Sequence, residues 1–190
     1  MFEQLTQLVN QFGGDAVVNN PAVPNEHNDA VMEHASNSIL DSLKNIATQN
    51  GGAEMIGNLF NGNNATDASN QVVQQITQQL SGSLGEKFGL TADDASNVAG
   101  SLIPKVLGSL INGAKDPNNS SIQISDVIGV ISGGNSTTGS GIMEAISKYG
   151  GQIGLDQDGD GKVGMSDVAS VVSNKGSGFL GGILGKLFGK

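Results

Sequence analysis

Apolar residues recur at three- and four-residue intervals along most of this chain, in runs interrupted by Gly, Asn and Pro. Phe2, Leu5, Leu8, Val9 and Phe12 form the first run, and Gly13–Gly14 close it. The loop NNPAVPN (19–25) follows. Val31, Ala35, Ile39, Leu43, Ile46 and Ala47 then make one stripe of a helix predicted over about 28–48. Met55, Ile56, Leu59 and Phe60 predict a short helix between Asn50-Gly51-Gly52 and NGNN. From Asp67 to Phe88, Val72, Ile76, Leu80, Leu84 and Phe88 recur every four residues among Gln and Ser.

The next run is the strongest. Thr91 stands where an N-cap is needed, and Asp93 and Asp94 fall in the first turn, the end of a helix that favours negative charge. Val98, Ala99, Leu102, Ile103, Val106, Leu107, Leu110 and Ile111 follow on one face. Pro104 lies inside this run and predicts a kink or a restart, because proline removes a helical hydrogen bond. The words ATDASN (65–70) and ADDASN (92–97), 27 residues apart, each open a helix that runs on to Gly-Ser-Leu, a faint sign of duplication. Ser125 or Asp126 is placed to cap a short helix, SDVIGVIS. SGGNSTTGSG (132–141) is linker-like, and residues 142–149 make one more short helix. No segment alternates like a strand over a useful length. The fold class predicted is all-α: a helical bundle over 1–133, a Gly/Ser linker over 134–141, and a C-terminal segment over 142–190.

Composition narrows the chemistry. The chain has 190 residues, 14% of them charged, a net charge of −9 and 29 glycines. All nine cations are lysines, so the bidentate guanidinium fork is missing, and nucleic acid is not an expected partner. The lack of cysteine rules out disulfides, thiolate metal sites and cysteine nucleophiles. The N-terminus has neither a basic region nor a continuous apolar run of the signal-peptide type, and no apolar run approaches the roughly 20 residues that span a bilayer. A soluble, cytoplasmic protein is expected.

Against so few charges, LDQDGDGKVGMSDV (155–168) stands out. With Asp156 as position 1, Asp158 is position 3, Asp160 position 5, Gly161 position 6, Lys162 position 7 and Asp167 position 12. This is the ligand spacing of an EF-hand calcium loop. Alternate carboxylates converge on one cation as the loop curls. Gly161 allows the sharp turn, Lys162 offers its backbone carbonyl, Val163 anchors the loop, and Asp167 closes the sphere from the next helix. A flexible set of hard oxygen donors favours calcium over zinc or copper. Gly150, Gly151 and Gly154 stand where an entering helix would be, and position 12 is Asp rather than Glu. In those respects DQDGDGKVGMSDVASVVS resembles one half-repeat of a dockerin, in its aspartates, Gly161, Val163, Ser166, Asp167 and the apolar Val168, Val171 and Val172. Dockerins carry two such loops and bind cohesins. With one loop here, a structural calcium ion is the expectation rather than a sensor that pairs its loops.

Other constellations are bland. His27 and His34 are seven residues apart, about 10 Å along a helix, too far for one metal, and read as surface positions. There is no GxSxG elbow, and GGILGK lacks the phosphate-loop spacing. No catalytic set emerges, so an enzyme is not expected. The C-terminal GFLGGILGKLFGK carries Phe179, Leu180, Ile183, Leu184, Leu187 and Phe188 on one face, with Lys186 and Lys190 towards the other. That face is suited to the protein's own core, to a neighbouring copy or to a membrane surface.

The helices rich in Gln, Asn and Ser, the words DASNVAGSLIPKVLGSL and the Gly-rich apolar ending resemble a YidB-like group of uncharacterised bacterial helical proteins over roughly residues 1–133. The resemblance implies a compact helical bundle and supplies no activity. The combined expectation is a non-enzymatic calcium-binding protein with a structural or protein-interaction role. The alternatives are self-assembly through the C-terminal face and peripheral membrane binding through residues 179–190.

Overall fold

The computed structural model describes residues 2–116, 119 and 121–148. Among the described residues the chain is all-helical and has no strand. Seven α-helices follow in order: α1 (Phe2–Gly13), α2 (Asn28–Thr48), α3 (Gly52–Asn58), α4 (Gln71–Phe88), α5 (Ala92–Lys115), α6 (Ile124–Ile131) and α7 (Ser136–Ser147). A π-helical turn (Gly14–Val18) and two short 3-10 turns (Asn25–His27 and Asn64–Thr66) fill connections.

The predicted stripes are the core. Val31, Ala35, Ile39, Leu43, Ile46 and Ala47 of α2 are all buried, as are Val72, Ile76, Leu80 and Leu84 of α4 and all eight stripe residues of α5. α4 and α5 form the most extensive helix pair, joined by a short turn in which Gly89 takes a φ of 69° and its N–H closes on the Gly85 carbonyl. This left-handed residue ends α4 at little steric cost because it has no Cβ. α2 packs on α4, and α1 packs against both α2 and α5. Ser36, Ser38 and Ser42 of α2 are buried, and Ser42 meets α4. The Ser42 hydroxyl lies 2.6 Å from the Ser38 carbonyl and 2.9 Å from Gln79 Oε1, so its single proton is shared between an intrahelical and an interhelical acceptor.

α5 is one helix from Ala92 to Lys115, with Pro104 inside it and no restart. Proline in a helix interior costs roughly 3 kcal/mol. Leu102, Ile103, Val106 and Leu107 flank it and are fully buried, and each such side chain contributes about 1.5–3 kcal/mol, which outweighs that cost. Thr91 caps α5 as expected: its hydroxyl accepts from the Asp94 N–H at 3.2 Å and donates to Asp94 Oδ2 at 2.6 Å.

Three local expectations change. α4 begins at Gln71 rather than near Asp67, because Asn70 is its N-cap, accepting from Val72 N–H at 2.9 Å. Neither Ser125 nor Asp126 caps α6, which starts at Ile124 after an uncapped Gln123. The segment 134–141, read as a linker, enters α7 at Ser136. Asn135 supplies the cap, accepting from Thr137 N–H at 3.0 Å and Thr138 N–H at 3.1 Å. Ile142, Ala145 and Ile146 then bury one face of the helix. Two of the small residues that suggested a linker lie within contact distance of neighbouring elements. A Cβ on Gly139 would lie 3.5 Å from Ser132 Oγ, and one on Gly141 would lie 3.5 Å from Ala53 Cβ.

Candidate functional site

The predicted calcium ligands Asp156, Asp158, Asp160, Lys162 and Asp167 lie outside the described residues, as does the apolar face of Phe179, Leu180, Ile183, Leu184, Leu187 and Phe188. What the structure fixes is the platform from which that segment departs. α7 ends at Ser147, and eight residues, 148–155, separate it from Asp156. α7 is held mainly by α3. The contact is close because Gly57 has no side chain: a Cβ there would stand 2.6 Å from Ala145 Cβ and 2.9 Å from the Ala145 carbonyl carbon. Beyond the last turn, Lys148 Nζ reaches Glu54 Oε1 at 2.5 Å. That hydrogen bond, and then the lysine charge, holds the Glu54 carboxyl below its ordinary value. Both groups are exposed, so the pair orients the end of α7 more than it stabilises the fold.

Elsewhere one polar constellation joins residues far apart in sequence. His34 of α2 lies against the last turns of α4, its Nε2 2.8 Å from Ser83 Oγ and its Nδ1 3.4 Å from Lys87 Nζ. The hydrogen-bond directions assign its protons. An ammonium only donates, so Nδ1 accepts from Lys87 and Nε2 carries the hydrogen and donates to Ser83. The Ser83 hydroxyl in turn donates to the Leu80 carbonyl at 2.9 Å. The relay ends on backbone, and Ser83 has no proton to give to the imidazole. This is a helix-to-helix clamp and not a serine nucleophile with its base. Burial, and secondarily the Lys87 charge, lowers the His34 pKa from its ordinary 6.5, which suits the neutral form the clamp needs.

Phe88 completes the cluster. Its ring centroid is 5.8 Å from that of His34 and 6.0 Å from that of His27, at interplanar angles of 58° and 54°. The spacing of seven that placed the two histidines two turns apart thus puts both against one aromatic ring. Among the described residues no group of three or more His, Asp or Glu side chains is placed to hold a metal ion. The clamp was not visible in the sequence, because His34 and Ser83 are 49 residues apart and both fall on faces that read as polar surface.

A shallow groove runs between the start of α3 and the start of α4, lined by Gly51, Glu54, Met55, Asn58, Asn70 and Gln71 among others. Its amides are committed to one another. Asn58 Oδ1 accepts from Asn64 Nδ2 at 2.9 Å and from Asn70 Nδ2 at 3.2 Å, while Asn70 Oδ1 caps α4. No described helix is long and apolar enough to cross a membrane. Comparison with protein-family models, curated proteins and solved structures finds no match.

Proposed function

We propose that this all-α protein is a non-enzymatic calcium-binding protein, whose ion organises the segment that follows the helical bundle and serves a structural or protein-interaction role. The observation that carries this reading is the ligand spacing of Asp156, Asp158, Asp160, Lys162 and Asp167 around Gly161, in a chain with only 18 acidic residues. Without a cation the four carboxylates repel one another. With calcium bound they, together with the Lys162 carbonyl, supply hard oxygen ligands to one ion. Because the ion binds the ordered loop and not the unfolded chain, it stabilises that loop by RT ln(1 + [L]/Kd), about 2.7 kcal/mol at a hundredfold excess over Kd. Hydrogen exchange with and without calcium tests the local role. Slowing concentrated in residues 142–174 is expected, and equal protection of α1 to α6 would contradict it.

Self-assembly through the C-terminal apolar face is the second reading, carried by the six large apolar side chains that the sequence places on one face of residues 179–188. Those six side chains need a cover. Light scattering separates the readings. A chain lacking residues 179–190 that becomes a stable monomer where the full chain is larger supports assembly. A monomeric full chain that the same deletion destabilises supports docking on the core. A deletion that changes only binding to anionic liposomes supports the membrane reading.

A further inference from the structure

The chain contains three Asn-Gly pairs, Asn50–Gly51, Asn61–Gly62 and Asn112–Gly113. Glycine after asparagine leaves the backbone nitrogen unshielded, so the three would behave alike in an unfolded chain. The fold treats them differently. Asn112 and Gly113 lie inside α5, where helical geometry turns the glycine N–H into the preceding turn, and the Asn112 carbonyl accepts from Asp116 N–H at 3.2 Å. Asn61 is held on both sides: its N–H donates to the Asn58 carbonyl at 3.0 Å and its carbonyl accepts from Asn64 N–H at 3.1 Å. The Gly62 carbonyl next to it accepts from Lys115 Nζ at 3.0 Å. Asn50 is exposed in the turn between α2 and α3, which the Gly52 N–H closes on the Gln49 carbonyl at 2.9 Å; within that turn the backbone and side-chain amide of Asn50 and the Gly51 N–H make no hydrogen bond, so Asn50 itself is less constrained than Asn61.

We propose that Asn50–Gly51 is a spontaneous modification site, selected by the fold over the other two pairs, at which asparagine converts to isoaspartate. In the first step the Gly51 nitrogen, having lost its proton to water, attacks Asn50 Cγ. The N–Cγ bond forms, the Cγ–Nδ2 bond breaks, and ammonia leaves with a proton taken from water. The product is a five-membered succinimide. In the second step one water adds to a ring carbonyl. Opening at Cγ gives aspartate, and opening at the former main-chain carbonyl gives isoaspartate, with the chain now running through Cβ. No oxidant or cofactor takes part, and the net change is one water consumed, one ammonia released and one negative charge gained.

The position gives the change a structural consequence. Gly51 has a φ of 75° and leads directly into α3. The next residue is pressed against the end of α2, since a Cβ on Gly52 would stand 1.8 Å from the Ile46 carbonyl oxygen. An extra backbone methylene lengthens this turn, and because Gly52 has no room to move towards α2 the added length is passed on to α3, and with it to α7, which packs on α3.

The test uses the full folded chain, aged in mildly alkaline buffer and mapped by peptide mass spectrometry, with methyl transfer by an isoaspartate-specific enzyme as a second reading. Asn50 should react at least about tenfold faster than Asn112, which reacts only when α5 opens locally, and Asn61 should fall between them. In denaturant the three rates should converge. Asn50→Gln, which removes no hydrogen bond, should abolish the fast product and keep the melting temperature constant on ageing, while the parent's falls. Asn61 or Asn112 reacting as fast as Asn50 in the folded chain would overturn the proposal. So would an inert Asn50 in a chain whose denatured form reacts at all three pairs.

Discussion

Replacing Gly57 by alanine and Gly100 by alanine makes the same chemical change on two helices, and the structure predicts opposite signs. Each substitution gains about 1 kcal/mol of helix propensity. Gly100 is exposed on α5 with nothing within 4 Å of the new methyl, so the gain is kept. At Gly57 the methyl would meet Ala145 Cβ at 2.6 Å, the Ala145 carbonyl carbon at 2.9 Å and Ile146 N at 3.1 Å. Two of these three atoms are backbone, so no side chain can swing aside and α7 itself must shift. Overpacking a well-filled core costs about 1–3 kcal/mol, and a clash against backbone belongs at the upper end. Subtracting the propensity gain leaves about 2 kcal/mol of net destabilisation. The cost has a ceiling, because complete release of α7 would forfeit the burial of Ile142 and Ile146, about 1.5–3 kcal/mol each. Urea unfolding followed by far-UV circular dichroism measures both variants, and hydrogen exchange locates the damage. Gly57→Ala should lower the midpoint and speed exchange in residues 136–147, while Gly100→Ala raises the midpoint. A Gly57→Ala protein as stable as Gly100→Ala would refute the packing of α7 described above.

Other consequences concern caps and protons. Asn70→Ala should cost about 1 kcal/mol or more in urea unfolding, since it removes the α4 cap and also the donor to Asn58 Oδ1; a loss under about 0.3 kcal/mol would contradict the capping role. His34 has a folded pKa below its unfolded value, so the unfolded chain binds more protons as the imidazole titrates. Its stabilising contribution is therefore present above the ordinary value of 6.5 and is lost as pH falls through the lower folded value. The urea midpoint should drop as pH falls below the ordinary value of 6.5, and His34→Gln should flatten that slope; an unchanged slope would show that the clamp does not titrate with folding.

Much of the bundle was legible because its helices obey one rule. The apolar stripes read from the sequence in α2 and α5 are buried throughout, and the predicted bounds of α2 coincide with the observed Asn28–Thr48. Legibility failed where small or polar residues take part in packing. Residues 136–141 read as linker because Thr, Ser and Gly carry no apolar signal, yet they form the first turns of α7, capped by Asn135. The π-helical turn after Gly13 was read as a stop, although it buries Ala16 and Val17. The His34 clamp was invisible for a different reason. Hydrogen bonds between helices depend on which faces meet, and periodicity on one helix does not say which neighbour it has. For the calcium loop the case is reversed: the spacing is explicit in the sequence, and the ligands lie beyond Lys148, the last described residue.

Calorimetric titration of the full chain with calcium, beside the Asp160→Ala variant, bears most directly on the proposed function. The account predicts saturable heat for about one ion per chain, strongly weakened in the variant because position 5 of the loop supplies a carboxylate ligand. An absence of heat up to about 1 mM calcium, the weak end of known loops of this kind, or a variant that binds as the parent does, would contradict it.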